Sequence, residues 1–381
     1  MAARRPRCAP VAVNDRAPAR RPPPARRDGA PARPRAIALS YTAGVIGAAR
    51  PDDDAGGDDA IRIGVSACLT GAPVRYDGGH KLHPFVRDAL GAVATLVPVC
   101  PEVEVGLGVP RPTLRLVQPA CEGGPLRLIA PATGADHTEA MTAWTRDRVR
   151  ALAALGLCGH VFRRNSPSCG LWGVPVYPRA DGGRAVRTGR GAFAAAFTAA
   201  LPDLPVEEDG RLDDPARRES FVARVFAYRR ARAALGPGAT AERLATLRAR
   251  DDLLVEAHAP GAGARLDAIV TAIAAQRVDP AAAAGAYVAE LMRALARPST
   301  DAKRARALAR AVARAGRGAP AAAAARDAIR AYRHGLVSFS HALGEVRRLA
   351  RARGDAWLAS QTWLFPEPGE RRLRALAGAR P

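Results

Sequence analysis

No two cysteines in this chain stand three positions apart, lysine is almost missing, and no long apolar run is free of charge. Each absence excludes something. Without a Cys-x-x-Cys pair, the short spacings of zinc fingers and ribbons do not apply. Without a run of about 18 uncharged apolar residues, a membrane-spanning helix is not expected. The first residues, rich in arginine and proline, hold no apolar core of a secretory signal. The expected location is the cytoplasm, with no membrane partner.

The shortage of lysine bears on charge. The formal net charge is +22, yet the only lysines are Lys81 and Lys303. A surplus this basic invites a polyanion. The arginines come, however, in a chain crowded with alanine, glycine and proline, the profile of GC-rich codons. Phosphate sites draw on lysine as well, so charge alone assigns no nucleic-acid partner.

Residues 1–59 read as a disordered Arg/Pro-rich extension that closes in the acidic linker PDDDAGGDDA, because no hydrophobic period appears there. A misplaced start site and a basic RNA-binding arm are the two explanations for such a segment. Residues 60–212 read as an α/β domain. IRIGVS alternates as a strand, LHPFVRDAL follows as a helix and VATLVPVC as a buried strand. Strands are predicted at Leu114–Val117 and Leu126–Ala130. DHTEAMTAWTRDRVRALAALG is predicted to be a helix, with Asp136 as its cap and Glu139 reaching back as in a capping box. LCGHVFRR reads as a strand and GRGAFAAAFTAAL as a helix. Strands alternating with helices imply a Rossmann-like α/β layer with a mainly parallel sheet.

Residues 213–238 read as a bridging helix with Pro215 near its start, where proline is tolerated. Residues 239–381 read as an all-α helical domain. Helical runs recur at Ala241–His258, Leu266–Ala275, Ala281–Ala296, Asp301–Ala315, Ala321–His334 and Val337–Ala352, and strand signals stop.

The six cysteines are Cys8, Cys68, Cys100, Cys121, Cys158 and Cys169. In a cytosolic chain they are metal ligands, catalytic groups or buried thiols rather than disulfides. Cys68, Cys100 and Cys169 each fall where a predicted strand gives way to a loop. Loops at the carboxyl ends of parallel strands gather along one edge, so these three can meet in space. Their loops carry arginines, which favour thiolate. Three thiolates suit a zinc ion with a water or an iron–sulfur cubane with one iron left open. The plain alternative is three small buried hydrophobes.

Glu102 lies two residues after Cys100 and could move a proton at such a centre; its ordinary roles are to cap a helix or pair with Arg111. Ser166 lies three residues before Cys169 and could orient a substrate; its ordinary role is to make the turn before Pro167. Cys158 reads as a core residue of its strand.

SACLTGAPVRYDG, VCPEVEVGLGVPR and SPSCG, in that order over about Arg62–Tyr228, resemble the DUF523 family, which includes thiouracil desulfidases. The resemblance implies an α/β domain with a 4Fe–4S cluster on Cys68, Cys100 and Cys169. It implies that the open iron takes sulfur from a thiolated pyrimidine without net redox, with Glu102 and Ser166 as the catalytic residues. The implied partner is a small-molecule thiolated base, free or within RNA. LLVEAH, AYRHGLVSFSHAL and SQTWLFPEPGERRLR resemble the DUF1722 (YbgA-like) family. The chain departs from that family at Asp251 and Asp252, where a His-Lys pair is usual, and at GARLD, where Tyr-x-x-Leu-Gly is usual. This second resemblance implies only an accessory or substrate-presenting part. The alternative function is a zinc- or cluster-stabilised binding protein whose helical domain engages a protein or nucleic-acid partner.

Overall fold

The computed structural model describes residues 60–118, 124–236, 240–275, 277, 279–316 and 320–378. The expectations for residues 1–59, with Cys8, and for Cys121 lie outside these. The strands are β1 (Arg62–Ser66), β2 (Thr95–Val99), β3 (Arg115–Val117), β4 (Arg127–Ile129), β5 (Gly159–Phe162), β6 (Val174–Tyr177), β7 (Val186–Gly189) and β8 (Val206–Glu208). One sheet has the order β2-β1-β5-β8, and every neighbouring pair in it is parallel. A second sheet, β4-β3-β6-β7, is mixed, with β3–β4 and β6–β7 antiparallel. The expected parallel α/β layer is present; the second sheet and strands β6, β7 and β8 were not anticipated.

Residue chemistry explains the parallel sheet. Its central strands are buried at Ile63, Gly64, Val65 and Ser66 of β1 and at Gly159, His160, Val161 and Phe162 of β5, as parallel strands covered on both faces are. Gly64 pairs with His160 in register. A Cβ at Gly64 would overlap the His160 ring, so glycine is what lets β1 and β5 lie side by side. His160 in turn stacks at 4.0 Å from Phe162 and 4.8 Å from Phe197.

Helices α1 (Pro101–Glu104), α2 (Thr138–Ala154) and α3 (Ala192–Ala200) belong to the α/β region. LHPFVRDAL forms a six-residue π-helical segment, Phe85–Leu90. The N-cap of α2 is His137, one residue later than expected. Asp136 Oδ1 nonetheless accepts the Thr138 amide hydrogen bond at 3.0 Å.

Helix α4 (Pro215–Leu235) starts as its sequence demands: Asp214 accepts from the Ala216 amide and Pro215 takes the first position. The helices α5 (Ala241–Arg250), α6 (Asp252–His258), α7 (Ala262–Ala274), α8 (Pro280–Leu295), α9 (Asp301–Ala315), α10 (Pro320–Arg333), α11 (Phe339–Arg353), α12 (Ala356–Ser360) and α13 (Pro368–Gly378) follow without strands. The run expected at Ala241–His258 is broken at Asp251. That residue is fully buried and turned toward Arg230 at 3.1 Å and Thr362 Oγ1 at 2.6 Å. Helices α12 and α13 lie beyond the expected runs.

Two cores meet on α4. Its Phe221, Val222, Val225 and Phe226 pack with Ile63, Val86 and Leu90 of the α/β region. Its Ala223, Ala227 and Ala231 pack with the helical core. The α13 residue Leu373 returns to the first of these cores. Among the described residues no helix is long and apolar enough to cross a membrane.

Candidate active site

Three loops leave the carboxyl ends of β1, β2 and β5 and converge. The first begins at Ser66 and turns through a 3-10 helix, Ala67–Thr70, that places Cys68. Gly71 ends the turn at φ 97°, in the left-handed region that favours glycine. The returning chain is pinned beneath it: the Lys81 amide donates to the Cys68 carbonyl at 2.9 Å and the His83 amide to Leu69 at 3.0 Å.

The second loop places Cys100 as the N-cap of α1, with Pro101 at the first helical position. The Cys100 amide donates to Glu104 Oε1 at 3.0 Å. Glu102 then projects from the first turn. Arg111 Nε donates to Glu102 Oε2 at 2.9 Å, and Arg111 also donates to the Val74 carbonyl at 3.0 Å.

The third loop is RRNSPSCG. Ser166 Oγ accepts the amide hydrogens of Ser168 at 3.2 Å and Cys169 at 3.0 Å, closing the turn expected of it. Ser168 is fully buried. Its hydroxyl donates to Glu102 Oε1 at 2.9 Å. The Glu102 carboxylate is thus fixed at both oxygens by groups from two loops.

These loops enclose a cavity of about 440 Å³ whose lining includes Cys68, Cys100, Cys169, Glu102 and Ser166. Every candidate site residue therefore faces one space. Arg75, Tyr76, Lys81 and Arg163 complete part of its wall. Cys158 does not line it; its thiol packs in the core near the Gly156 carbonyl.

The electrostatics correct one expectation. Arginines were expected to favour thiolate at the three cysteines. Burial instead pushes the Cys68 thiol up to about 12, helped by neighbouring Cys100 and opposed by Arg163. Burial pushes Cys100 up to about 11. Cys169 is raised by burial and by the charges of Cys100, Cys68 and Glu102, against a hydrogen bond from Ser66. The three sulfurs feel one another's charge. In so dry a place they ionise together only around something cationic, which is what a metal centre supplies to its thiolates. The donor set therefore fits an inorganic centre. Among the described residues, no three His, Cys, Asp or Glu side chains close around a point tightly enough for a single metal ion.

Sequence reasoning missed Ser168 as a partner of Glu102. It sits in the same SPSCG stretch as Ser166, but nothing in one sequence says which serine turns inward. It also missed Ser66, whose hydroxyl oxygen accepts the Arg163 amide hydrogen at 3.0 Å.

Residues 63–209 match the family model described as 2-thiouracil desulfurase. One solved structure, described as a [4Fe-4S]-dependent thiouracil desulfidase TudS, is 31% identical, covering 40% of this chain and 93% of that one, with a TM-score of 0.32. The chain belongs to the 2-thiouracil desulfurase family. The family match spans β1 to β8 and contains all three site loops. Residues 253–368 match a second family model, DUF1722, a protein family of unknown function. No curated protein matches the chain.

Proposed function

We propose that the protein removes sulfur from a thiolated pyrimidine, free or within RNA, by hydrolysis at a carbon–sulfur bond. Three thiols from three separate strand ends, gathered with Glu102 in one cavity, are the observation that carries this reading. Cys68, Cys100 and Cys169 would hold a 4Fe–4S cluster. When bound, such a cluster supplies a Lewis-acidic iron without a protein ligand, suited to a soft sulfur atom. It spreads its protein ligands over several irons, so the sulfurs need not meet at one point. The zinc alternative asks thiolates to sit about 3.8 Å apart around one ion, from Zn–S bonds of about 2.3 Å, and draws no support from this geometry.

The reaction balances without electrons: thiocarbonyl and water give carbonyl and hydrogen sulfide. Glu102 is the proton carrier. Its carboxylate keeps lone pairs free beyond those used by Arg111 and Ser168, so it can accept a proton from the attacking water and pass it to the departing sulfur. Arg111 and Ser168 hold it still meanwhile. Ser166 spends its oxygen on two loop amides, which leaves its hydroxyl hydrogen to donate to the pyrimidine. In this reading residues 60–212 are catalytic, 213–238 bridge, and the helical part from 239 is an accessory or substrate-presenting part.

The test is anaerobic reconstitution, followed by sulfide release from thiouracils, their nucleosides and thiolated transfer RNA. A brown protein with four irons that releases sulfide from at least one of these is expected. Stoichiometric zinc without sulfide, or a cluster-loaded chain inert toward all of them, contradicts the proposal.

A further inference from the structure

We infer that Glu208 and Asp209, at the end of β8, are positioning residues for the loop that carries Ser166 and Cys169; the inference rests on the site reading above. Neither residue lines the cavity. Both are buried; Asp209 spends both oxygens on that loop, and Glu208 spends Oε1 on the residues that follow it. Asp209 Oδ1 accepts the Arg164 amide hydrogen at 2.8 Å, and Oδ2 accepts from the Arg163 guanidinium. Glu208 Oε1 accepts the amide hydrogens of Leu171 at 2.7 Å and Trp172 at 3.3 Å.

The loop is thus gripped on both sides of Ser166, Ser168 and Cys169. Strand pairing makes this possible. β8 runs parallel to β5, with Phe162 opposite Glu208, so the carboxylates leave β8 beside the loop that leaves β5. Burying two carboxylates is costly unless their oxygens are satisfied. An apolar pair would end an ordinary strand at less cost; among the described residues, every amide these two carboxylates accept from belongs to the site loop or its flank.

A continuous path runs inward from Asp209. Arg163 pairs with it through the side chain and donates its own amide hydrogen to Ser66 Oγ at 3.0 Å. Ser66 ends β1, two residues before Cys68, and lines the cavity. The carboxylate therefore ties the third loop to the first. Because α4 begins six residues after Asp209, the same grip fastens the site to the helix shared by both cores.

The full-length chain is reconstituted anaerobically as parent, Asp209→Asn, Glu208→Gln and the control Asp213→Asn. Asp213 is exposed and faces His83. Cluster loss to an iron chelator and the visible circular dichroism of the cluster are followed, with the thermal midpoint of the cluster-free chain as a fold control. Asp209→Asn and Glu208→Gln are expected to lose the cluster about 10-fold faster or more and to alter its dichroism, while Asp213→Asn matches the parent. Parent-like lifetime and dichroism in both test variants overturn the inference.

Amide hydrogen exchange over residues 163–172 in the cluster-free chain tests the grip alone. Faster exchange there in a folded Asp209→Asn or Glu208→Gln supports it, and unchanged exchange in both overturns it. Should the parent take up no iron, the site reading fails, and exchange still decides the grip. Should Asp209→Asn not fold, Glu208→Gln decides.

Discussion

At Glu102 a single carboxylate receives Ser168 on one oxygen and Arg111 on the other. Substituting Glu102→Gln keeps the shape but replaces one acceptor oxygen by an NH2 group and removes the proton carrier. The variant is expected to load iron like the parent and to lose sulfide release by about 100-fold or more; parent-like turnover would remove Glu102 from the chemistry. A second residue-scale effect concerns pH. Burial pushes His258 down to about 4, its Nδ1 donating to the Arg297 carbonyl at 3.0 Å. The unfolded chain binds that proton near pH 6.5 and the folded chain does not. Stability is fully present above about pH 6.5 and falls as pH drops toward 4, by about 3 kcal/mol for this group. Urea midpoints at pH 7 and pH 5 check this, and His258→Asn should flatten the slope. That Cys68, Cys100, Cys169 and Glu102 share one cavity was legible in the sequence because each lies in a dense loop motif beyond the end of a strand. Ser168 was not, because a serine's inward or outward direction depends on the turn that Ser166 closes.

At the scale of elements, β1, β2 and β5 of the parallel sheet were legible from their apolar residues, while β8, three residues of which two are glutamates, stayed hidden. The second sheet was not legible as a whole. Its β3 and β4 were expected as strands at Leu114–Val117 and Leu126–Ala130, but β6 and β7 are four residues long and β7 leaves Val186, Arg187 and Thr188 exposed, so no period builds up there. The start of α3 carries a testable constraint. Gly191, its N-cap, lies against the site loop: a Cβ there would sit 2.5 Å from the Ser168 carbonyl carbon and oxygen. Backbone cannot yield as a flexible side chain can. Gly191→Ala is expected to cost about 1–3 kcal/mol in urea unfolding and to slow sulfide release through displacement of Ser168. A variant with parent stability and turnover would show that this contact is slack.

At the scale of the whole molecule, the two family matches meet on one packed body. Helix α4 contributes to both cores and α13 returns Leu373 to the α/β core beside Val86 and Phe226. Arg218 reaches the Leu376 carbonyl at 3.3 Å. Ending the chain after Pro366 would uncover that core, so the truncated protein is expected to melt several degrees lower or aggregate, read by thermal unfolding; an unchanged midpoint would make α13 dispensable. The helical runs were legible because their period is regular. The break at Asp251 was not, since it arises from a buried partner, Arg230, that also meets Glu370 of α13 at 3.0 Å.

The central claim is that three distant sulfurs share one inorganic core. Iron and acid-labile sulfide per chain, measured after anaerobic reconstitution of Cys68→Ala, Cys100→Ala, Cys169→Ala and Cys158→Ala, test it most directly. The account predicts four of each in the parent and in Cys158→Ala, and loss of the four-iron cluster in the other three. A full cluster in any of those three, or its loss only in Cys158→Ala, would contradict it.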